Sequence, residues 1–204
     1  MKKISLAILS LSVLALNACG PKKSACTYST DPKDIQLEWT AFKFTEKTPV
    51  KGKFNKAEAK GKTQAGSLAD LVTGLHLDID GASVETNDPG RNATIQQFFF
   101  EKFSPPFHIH AMATKLEGDD QKGTMAINIS MNGSAKDVPF AYTVGADGVL
   151  TALASIDMLE FGLQAPYDSI HKACEDKHTG KDGVSKTWTQ VDLLLTGKFK
   201  KECK

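Results

Sequence analysis

Three residues able to bind a metal stand close together near the C-terminus: His171, Cys174 and His178. Offsets of three and four put side chains on one face of a helix. A helical stretch from Asp168 to about His178 would therefore present two imidazoles and a thiol to one ion. Zinc, copper or haem ligation is the chemistry such a set offers, and a metal or redox protein is the alternative reading of the chain. Only three ligands are visible, so no metal is assigned. His108 and His110 sit two apart on the polar face of an alternating stretch and read as a solvated pair. Asp78 with Asp80, and Asp119 with Asp120, have the look of paired carboxylates for acid–base work. The first pair falls on the outer face of a strand and the second in a turn, so neither is assigned to catalysis. Serine, histidine and aspartate occur without a nucleophile-elbow pattern, and no GxGxxG or P-loop is present. No catalytic residue is assigned, and the chain reads as a non-enzyme.

The N-terminus carries a different kind of chemistry. Met1-Lys2-Lys3 is a short positive segment, and Ile4 to Leu16 is an apolar run of about a dozen residues. That is shorter than the roughly 20 residues a bilayer span needs, but it suits a secretory signal. The run ends Leu16-Asn17-Ala18-Cys19, which resembles a bacterial lipobox. The resemblance implies cleavage before Cys19 and acylation of that cysteine, with two or more chains giving stable membrane anchoring. Gly20, where an Asp would signal inner-membrane retention in enteric-type bacteria, favours an outer-membrane anchor facing the periplasm. The expected organisation is a signal over 1–18, a lipidated tether over 19–34 containing Pro21 and Pro32, and a folded domain over 35–204.

Three cysteines remain for an oxidising compartment: Cys26, Cys174 and Cys203. One disulfide leaves one thiol over. Cys26 lies just before the first expected strand and Cys203 just after the last, so a closed barrel would make them neighbours. Cys26–Cys203 is the preferred pair, and pairing of Cys174 with either is the competitor.

The elements that must position these groups are mostly strands. Leu37, Trp39 and Ala41 alternate with polar or outward residues. So do Leu75, Leu77 and Ile79; Phe107, Ile109 and Ala111; Met125, Ile127, Ile129 and Met131; and Val138, Phe140, Tyr142 and Val144. A period of two with one polar face marks a half-buried antiparallel strand. Val50–Ala57, Leu150–Ile156 and Thr187–Phe199 bring the count to about eight. The turn signals Glu117-Gly118-Asp119-Asp120, Asn132-Gly133 and Asp147-Gly148 separate several of them. Arg91 to Phe103 has helical spacing, with Ile95, Phe98, Phe99 and Phe103 able to cluster. The set predicts an all-β sandwich or an up-and-down barrel. Lys plus Arg is 25 and Asp plus Glu is 24. Losing the first 18 residues removes two lysines and takes the net charge from +1 to −1, which leaves no basic field to hold nucleic acid.

Several segments together resemble the YceI-like family. They are Trp39-Thr40-Ala41-Phe42-Lys43 followed by Val50-Lys51-Gly52-Lys53-Phe54; Ile79-Asp80-Gly81-Ala82-Ser83-Val84-Glu85-Thr86-Asn87; Pro89-Gly90-Arg91-Asn92-Ala93-Thr94-Ile95 with Phe98-Phe99; Ile127-Asn128-Ile129-Ser130-Met131-Asn132-Gly133; and Ala154-Ser155-Ile156-Asp157 with Glu160-Phe161-Gly162. The resemblance implies an eight-stranded antiparallel lipocalin-like barrel with one or two short helices and a long apolar interior. It also implies a bound polyisoprenoid or isoprenoid quinone, with no enzymatic chemistry established. Three departures stand out, the first being that a His common near the end of the family's first strand is absent here. Arg91-Asn92 replaces a common Arg-Asp, and His171 to Trp188 looks like an insertion.

On that reading the inward residues Trp39, Leu77, Ile109, Ile127, Ile129, Phe140 and Tyr142 line the ligand site. Burying a chain contributes about 0.8 kcal/mol per methylene-sized unit, and micromolar binding needs about 8 kcal/mol net. An isoprenoid tail therefore needs only an open apolar tunnel. The expected function is storage, transport or protection of such a lipid at the envelope. The expected partners are that lipid and the membrane through the anchor. A homodimer is compatible with the sequence, which does not set the oligomeric state. A purely structural envelope protein with a filled core is the third reading.

Overall fold

The computed structural model describes residues 25–204. The expected signal, Cys19 and the first part of the expected tether, through residue 24, lie outside the described residues. In chain order the strands begin with β1 (Cys26–Thr30), β2 (Gln36–Lys43), β3 (Thr48–Phe54), β4 (Ala57–Gly61) and the two-residue β5 (Gln64–Ala65). A short helix α1 (Leu68–Val72) leads to β6 (Leu75–Asp80) and β7 (Val84–Glu85). Helix α2 (Pro89–Phe98) precedes a meander of long strands: β8 (His108–Gly118), β9 (Lys122–Met131), β10 (Ser134–Val144) and β11 (Val149–Asp157). Helix α3 (Gln164–Ala173) then leads to the longest strand, β12 (Thr187–Cys203).

Neighbouring strands follow the order β4-β6-β8-β9-β10-β11-β12-β2-β3-β7. The two ends of that order belong together. β3 and β4 are one strand bent at Asn55-Lys56, and β6 and β7 are one strand bent at a 3-10 turn over Gly81–Ser83. β4 pairs antiparallel with β6, and β3 with β7. Across the bend the Asn55 N–H donates to Ser83 O at 2.9 Å and the Asp80 N–H donates to Lys56 O at 3.0 Å. The sheet thereby curls round on itself. With each bent strand counted once, eight strands surround the interior, as the family resemblance implied; the additional segments are the halves of the bends plus β1 and β5.

β1 is a difference from expectation. Its residues were placed in the tether, but Cys26–Thr30 pair with the far end of β12, Cys26 opposite Cys203, while β5 pairs on the other side of β1. Tyr28 and Thr30 are buried, so this short Thr- and Tyr-rich segment alternates as a half-buried strand does. Too few apolar residues made the pattern visible.

The alternation expected in the long strands is present. Leu75, Leu77 and Ile79 on β6, Met125, Ile127, Ile129 and Met131 on β9, and Val138, Phe140 and Tyr142 on β10 are all buried. Asn132 and Gly133, at φ 51° and 73°, make the two-residue turn that sets Met131 opposite Ser134. Positive φ at both positions matches the twist of the hairpin and suits Asn-Gly. On β8 the register shifts between Ala113 and Lys115, which returns Leu116 to the core side after Ala113; one extra residue in a strand has that effect.

The helices are shorter than the spacing predicted. In α2, Pro89 opens the helix and the Asp88 side chain accepts from the Arg91 N–H at 3.0 Å, a sound N-terminal cap. The helix ends at Phe98, and a 3-10 turn over Phe100–Lys102 follows. The aromatic cluster is Phe99, Phe100 and Phe103, with centroids 5.1–5.3 Å apart. Phe100 also meets Phe54 edge-on at 5.7 Å. The second helix begins at Gln164, stops at Ala173 and resumes as a separate 3-10 turn over Asp176–His178. Among the described residues no helix is long and apolar enough to cross a membrane.

Candidate functional site

An apolar cavity of about 500 Å³ occupies the barrel interior, within the roughly 300–1,000 Å³ usual for small-molecule sites. Trp39, Leu77, Ile109, Ile127, Ile129 and Phe140 stand on its wall, supplied by β2, β6, β8, β9 and β10. Tyr142 does not. It is 2% exposed and its hydroxyl donates to Asp119 O at 2.6 Å. A Cβ at Gly118 would come within 3.0 Å of its hydroxyl, and one at Gly123 within 2.9 Å of its ring. Tyr142 therefore belongs to the packed part of the interior, where its polar tip needs a partner. The barrel is part core and part cavity, which alternation alone does not reveal.

Trp39 shows how the wall is built. It faces Gly52 across the β2–β3 pair, and a Cβ at Gly52 would lie 2.2 Å from the indole Cζ2. Only glycine lets the ring lie flat on the neighbouring strand. Among the described residues the buried Trp39 Nε1–H has no hydrogen-bond partner, a cost of about 1–3 kcal/mol. Along β2 and β12 the wall runs from Lys43 and Thr187 at one end to Leu37 and Leu195 at the other, about 20 Å at strand rise. An elongated apolar ligand matches that shape better than a round one.

The Lys43 end is polar. Lys43, Asp88, Arg91, Lys177, His178 and Thr187 all reach the cavity lining there, from the end of β2, the start of α2, the turn after α3 and the start of β12. Arg91 pairs with Asp88 at 3.4 Å. Lys43 lies 4.6 Å over the Phe44 ring. His178 meets Thr187 Oγ1 through Nδ1 at 2.7 Å, and His171 Nδ1 reaches the same oxygen at 3.1 Å. One hydroxyl has one proton to give, so one imidazole accepts it and the other donates its own N–H. Burial first, then the charges of Lys43, His171, Arg91 and Lys177, push His178 down to about 4. It is neutral at neutral pH. Sequence reading passed over Lys43, Arg91 and Lys177 as a group, because residues so far apart share no spacing signal.

The three residues of the alternative, metal-binding reading do not form a metal cluster among the described residues. The helix ends at Ala173, so the offsets that would align His171, Cys174 and His178 on one helical face do not apply. Both histidine Nδ1 atoms are committed to Thr187. Among the described residues no group of three or more His, Cys, Asp or Glu side chains is arranged to hold a metal ion. Cys174 is a free thiol, buried on the cavity wall, and burial raises its pKa above the usual thiol range. A thiol held neutral is a poor nucleophile and a poor ligand.

The remaining candidates serve the scaffold. His110 Nδ1 sits 2.7 Å from Asp78 Oδ1 on the outer face. His110 first, then Lys60, hold the Asp78 carboxyl below the usual range. Asp119 accepts from the Gln121 and Lys122 N–H groups and closes its turn. Asp120 accepts from the Tyr28 hydroxyl at 2.6 Å and from Lys201 at 2.7 Å. Cys26 and Cys203 form a disulfide with Cα atoms 4.0 Å apart. It ties β1 to the end of β12, inside the strands and not beyond them as the sequence suggested.

Residues 28–189 match the model of the YceI-like domain. The chain belongs to the YceI-like family. Solved structures agree with the fold this YceI-like chain adopts. A polyisoprenoid binding domain from Saccharophagus degradans, implicated in plant cell wall breakdown, is 16% identical with a TM-score of 0.57, over 89% of this chain and 100% of that one. BcnA of Burkholderia cenocepacia is 15% identical with a TM-score of 0.59, over 84% and 99%. The Campylobacter jejuni YCEI protein is 21% identical with a TM-score of 0.52, over 77% and 87%. No curated protein matches the chain.

Proposed function

We propose that this YceI-like protein binds a long isoprenoid lipid, such as a polyisoprenoid or isoprenoid quinone, within its barrel, for storage, transport or protection at the cell envelope. The observation that carries this reading is the elongated apolar cavity of about 500 Å³. The Saccharophagus degradans domain of the same fold, named for polyisoprenoid binding, supports the ligand class. Binding and not catalysis is the reading, because the described polar groups near the cavity are engaged with one another or form a charged rim. The lipobox-like Leu16-Asn17-Ala18-Cys19 supports acylation at Cys19 and attachment to the outer membrane on the periplasmic side. The cavity and the anchor are separate parts of this proposal.

Native mass spectrometry of the protein gently extracted from its host tests the ligand. The expected spectrum contains an adduct with the mass of an isoprenoid lipid. A bare protein mass, with no lipid recovered by solvent extraction, would overturn the proposal. Intact mass of the membrane-extracted protein tests the anchor, which requires acyl mass on a chain beginning at Cys19.

A further inference from the structure

We infer that the anchored protein holds the mouth of its cavity away from the bilayer that anchors it, so that lipid passes between the barrel and a second lipid surface facing the mouth. This rests on the acylated Cys19 and the isoprenoid cargo proposed above, and adds the direction in which the site opens. The deciding observation is where the chain enters the barrel. The Ala25 carbonyl accepts from the Lys204 N–H at 3.1 Å, and Cys26 is bonded to Cys203. The entry point is thereby fixed to the last residues of β12. The Lys43 end of the cavity, its mouth, lies at the opposite end of the same strand, where Thr187 begins it.

β12 runs 17 residues from Thr187 to Cys203, about 50 Å at strand rise. Barrel strands tilt by roughly 35–45°, so about 40 Å of that length lies along the barrel axis. Only Gly20 to Ser24 separate Cys19 from Ala25, and a fully extended chain crosses that interval with a reach of about 20 Å at most. A mouth turned onto the anchoring bilayer would lift Ala25 about 40 Å above it, beyond that reach. The limit is a contour length and holds for any conformation of the segment. The two ends also differ in build. At the Ala25 end β1 pairs with β12 on one side and β5 on the other, and α1 packs against β1, β5 and β8. Tyr28, Leu68 and Leu71 are buried there, which makes that end a packed floor. At the other end the Asp88 and Arg91 side chains that reach the lining are 48% and 40% exposed, so the cavity meets solvent there. The short tether therefore sets the floor toward the headgroups and leaves the mouth on the far side.

The test uses the full-length protein reconstituted in phosphatidylethanolamine and phosphatidylglycerol vesicles that carry a rhodamine-labelled lipid. A donor dye is attached at one of two exposed positions. Ala146→Cys lies in the β10–β11 turn at the floor, next to Gly148, whose carbonyl accepts from the Phe199 N–H. Lys181→Cys lies at the mouth, beside Asp182, which accepts from Thr45 Oγ1 at 2.6 Å. Energy transfer to the membrane is expected to be at least about threefold greater from 146 than from 181, given a height difference of about 40 Å. Insertion of about twenty Gly and Ser residues after Ser24 frees the domain to turn and is expected to shrink that difference. Equal transfer, or greater transfer from 181, would overturn the orientation. A difference untouched by the insertion would overturn the short tether as its cause. Loaded with tritiated geranylgeraniol, the anchored protein is expected to release it faster as unlabelled vesicles are added, and a rate indifferent to them would overturn exchange with a facing surface. Protein that fails to float with the vesicles would overturn the anchor instead, and anchored protein that takes up no geranylgeraniol would overturn the isoprenoid reading.

Discussion

At the scale of single residues, small side chains on the barrel wall matter as much as large ones. Ala111 stands between Leu77 on β6 and Ile129 on β9 and lines the cavity. Ala111→Phe projects a ring into vacant apolar space. The expected result is a stability gain of about 0.5–2 kcal/mol in urea unfolding, as other cavity-filling changes give, together with loss of most bound lipid by native mass spectrometry. Lower stability would mean that the cavity is less open than its shape indicates. His178 gives a second expectation. Its pKa falls from 6.5 in the unfolded chain to about 4 in the fold. Between those values the unfolded state binds a proton that the native state does not, so stability declines as pH drops from 6.5 toward 4. Urea midpoints measured across that window should fall with acid in the wild type and flatten in His178→Asn. Asn92 explains one departure from the family pattern. Its Oδ1 accepts from both the Thr86 N–H and hydroxyl, while its Nδ2 donates to Glu85 Oε1. An aspartate there would keep the first two bonds and set a like charge beside Glu85.

At the scale of elements, the chain ends act as one unit. β1, β5 and the last turn of β12 form a small sheet extension held by the Cys26–Cys203 bond. The bond spans 177 residues of sequence; chain entropy puts a loop that long near the top of the range for native disulfides, so its loss costs about 2–5 kcal/mol. The double variant Cys26→Ser, Cys203→Ser should lose that much by urea unfolding. Amide exchange should speed up over 26–30 and 199–203, while exchange in β9 and β10 responds only to the global loss. The cavity wall is made by other strands, so lipid occupancy should be retained. Legibility also varied by element. Strands with three or four alternating apolar residues were readable from sequence. β1, with Tyr28 as its one large apolar residue, was not. The helix after Leu163 was readable as helical, but its stop at Ala173 carried no proline or glycine, and that stop is what separates His171 from His178.

At the scale of the whole molecule, the barrel is stable enough to keep space open because much of its interior is solidly packed around Tyr28, Tyr142, Phe161 and Leu71. A ligand that binds only the folded state stabilises it by mass action, about 2.7 kcal/mol when present at 100 times its Kd. Gentle delipidation should therefore lower Tm by about 5–10 °C for a domain of this size, and adding the lipid back should restore it. A Tm unmoved by extraction of a lipid shown to be present would place that lipid on the surface and not in the barrel.

Sequence alone determined the strand faces, because alternation at a period of two is a local property and each buried face demands it. It also supplied the motif order that resembles the YceI-like family, and the pairing of Cys26 with Cys203 as one of the open alternatives. The tertiary structure decided three things that depend on distances between remote residues. It decided that the interior is left partly empty, since six inward residues face the cavity while Tyr142 is packed away. It decided that His171, Cys174 and His178 do not share one helical face, since the helix ends at Ala173 and both histidines turn Nδ1 to the Thr187 hydroxyl. And it brought Lys43, Arg91 and Lys177 to one mouth, because closing a sheet joins residues that the chain keeps far apart.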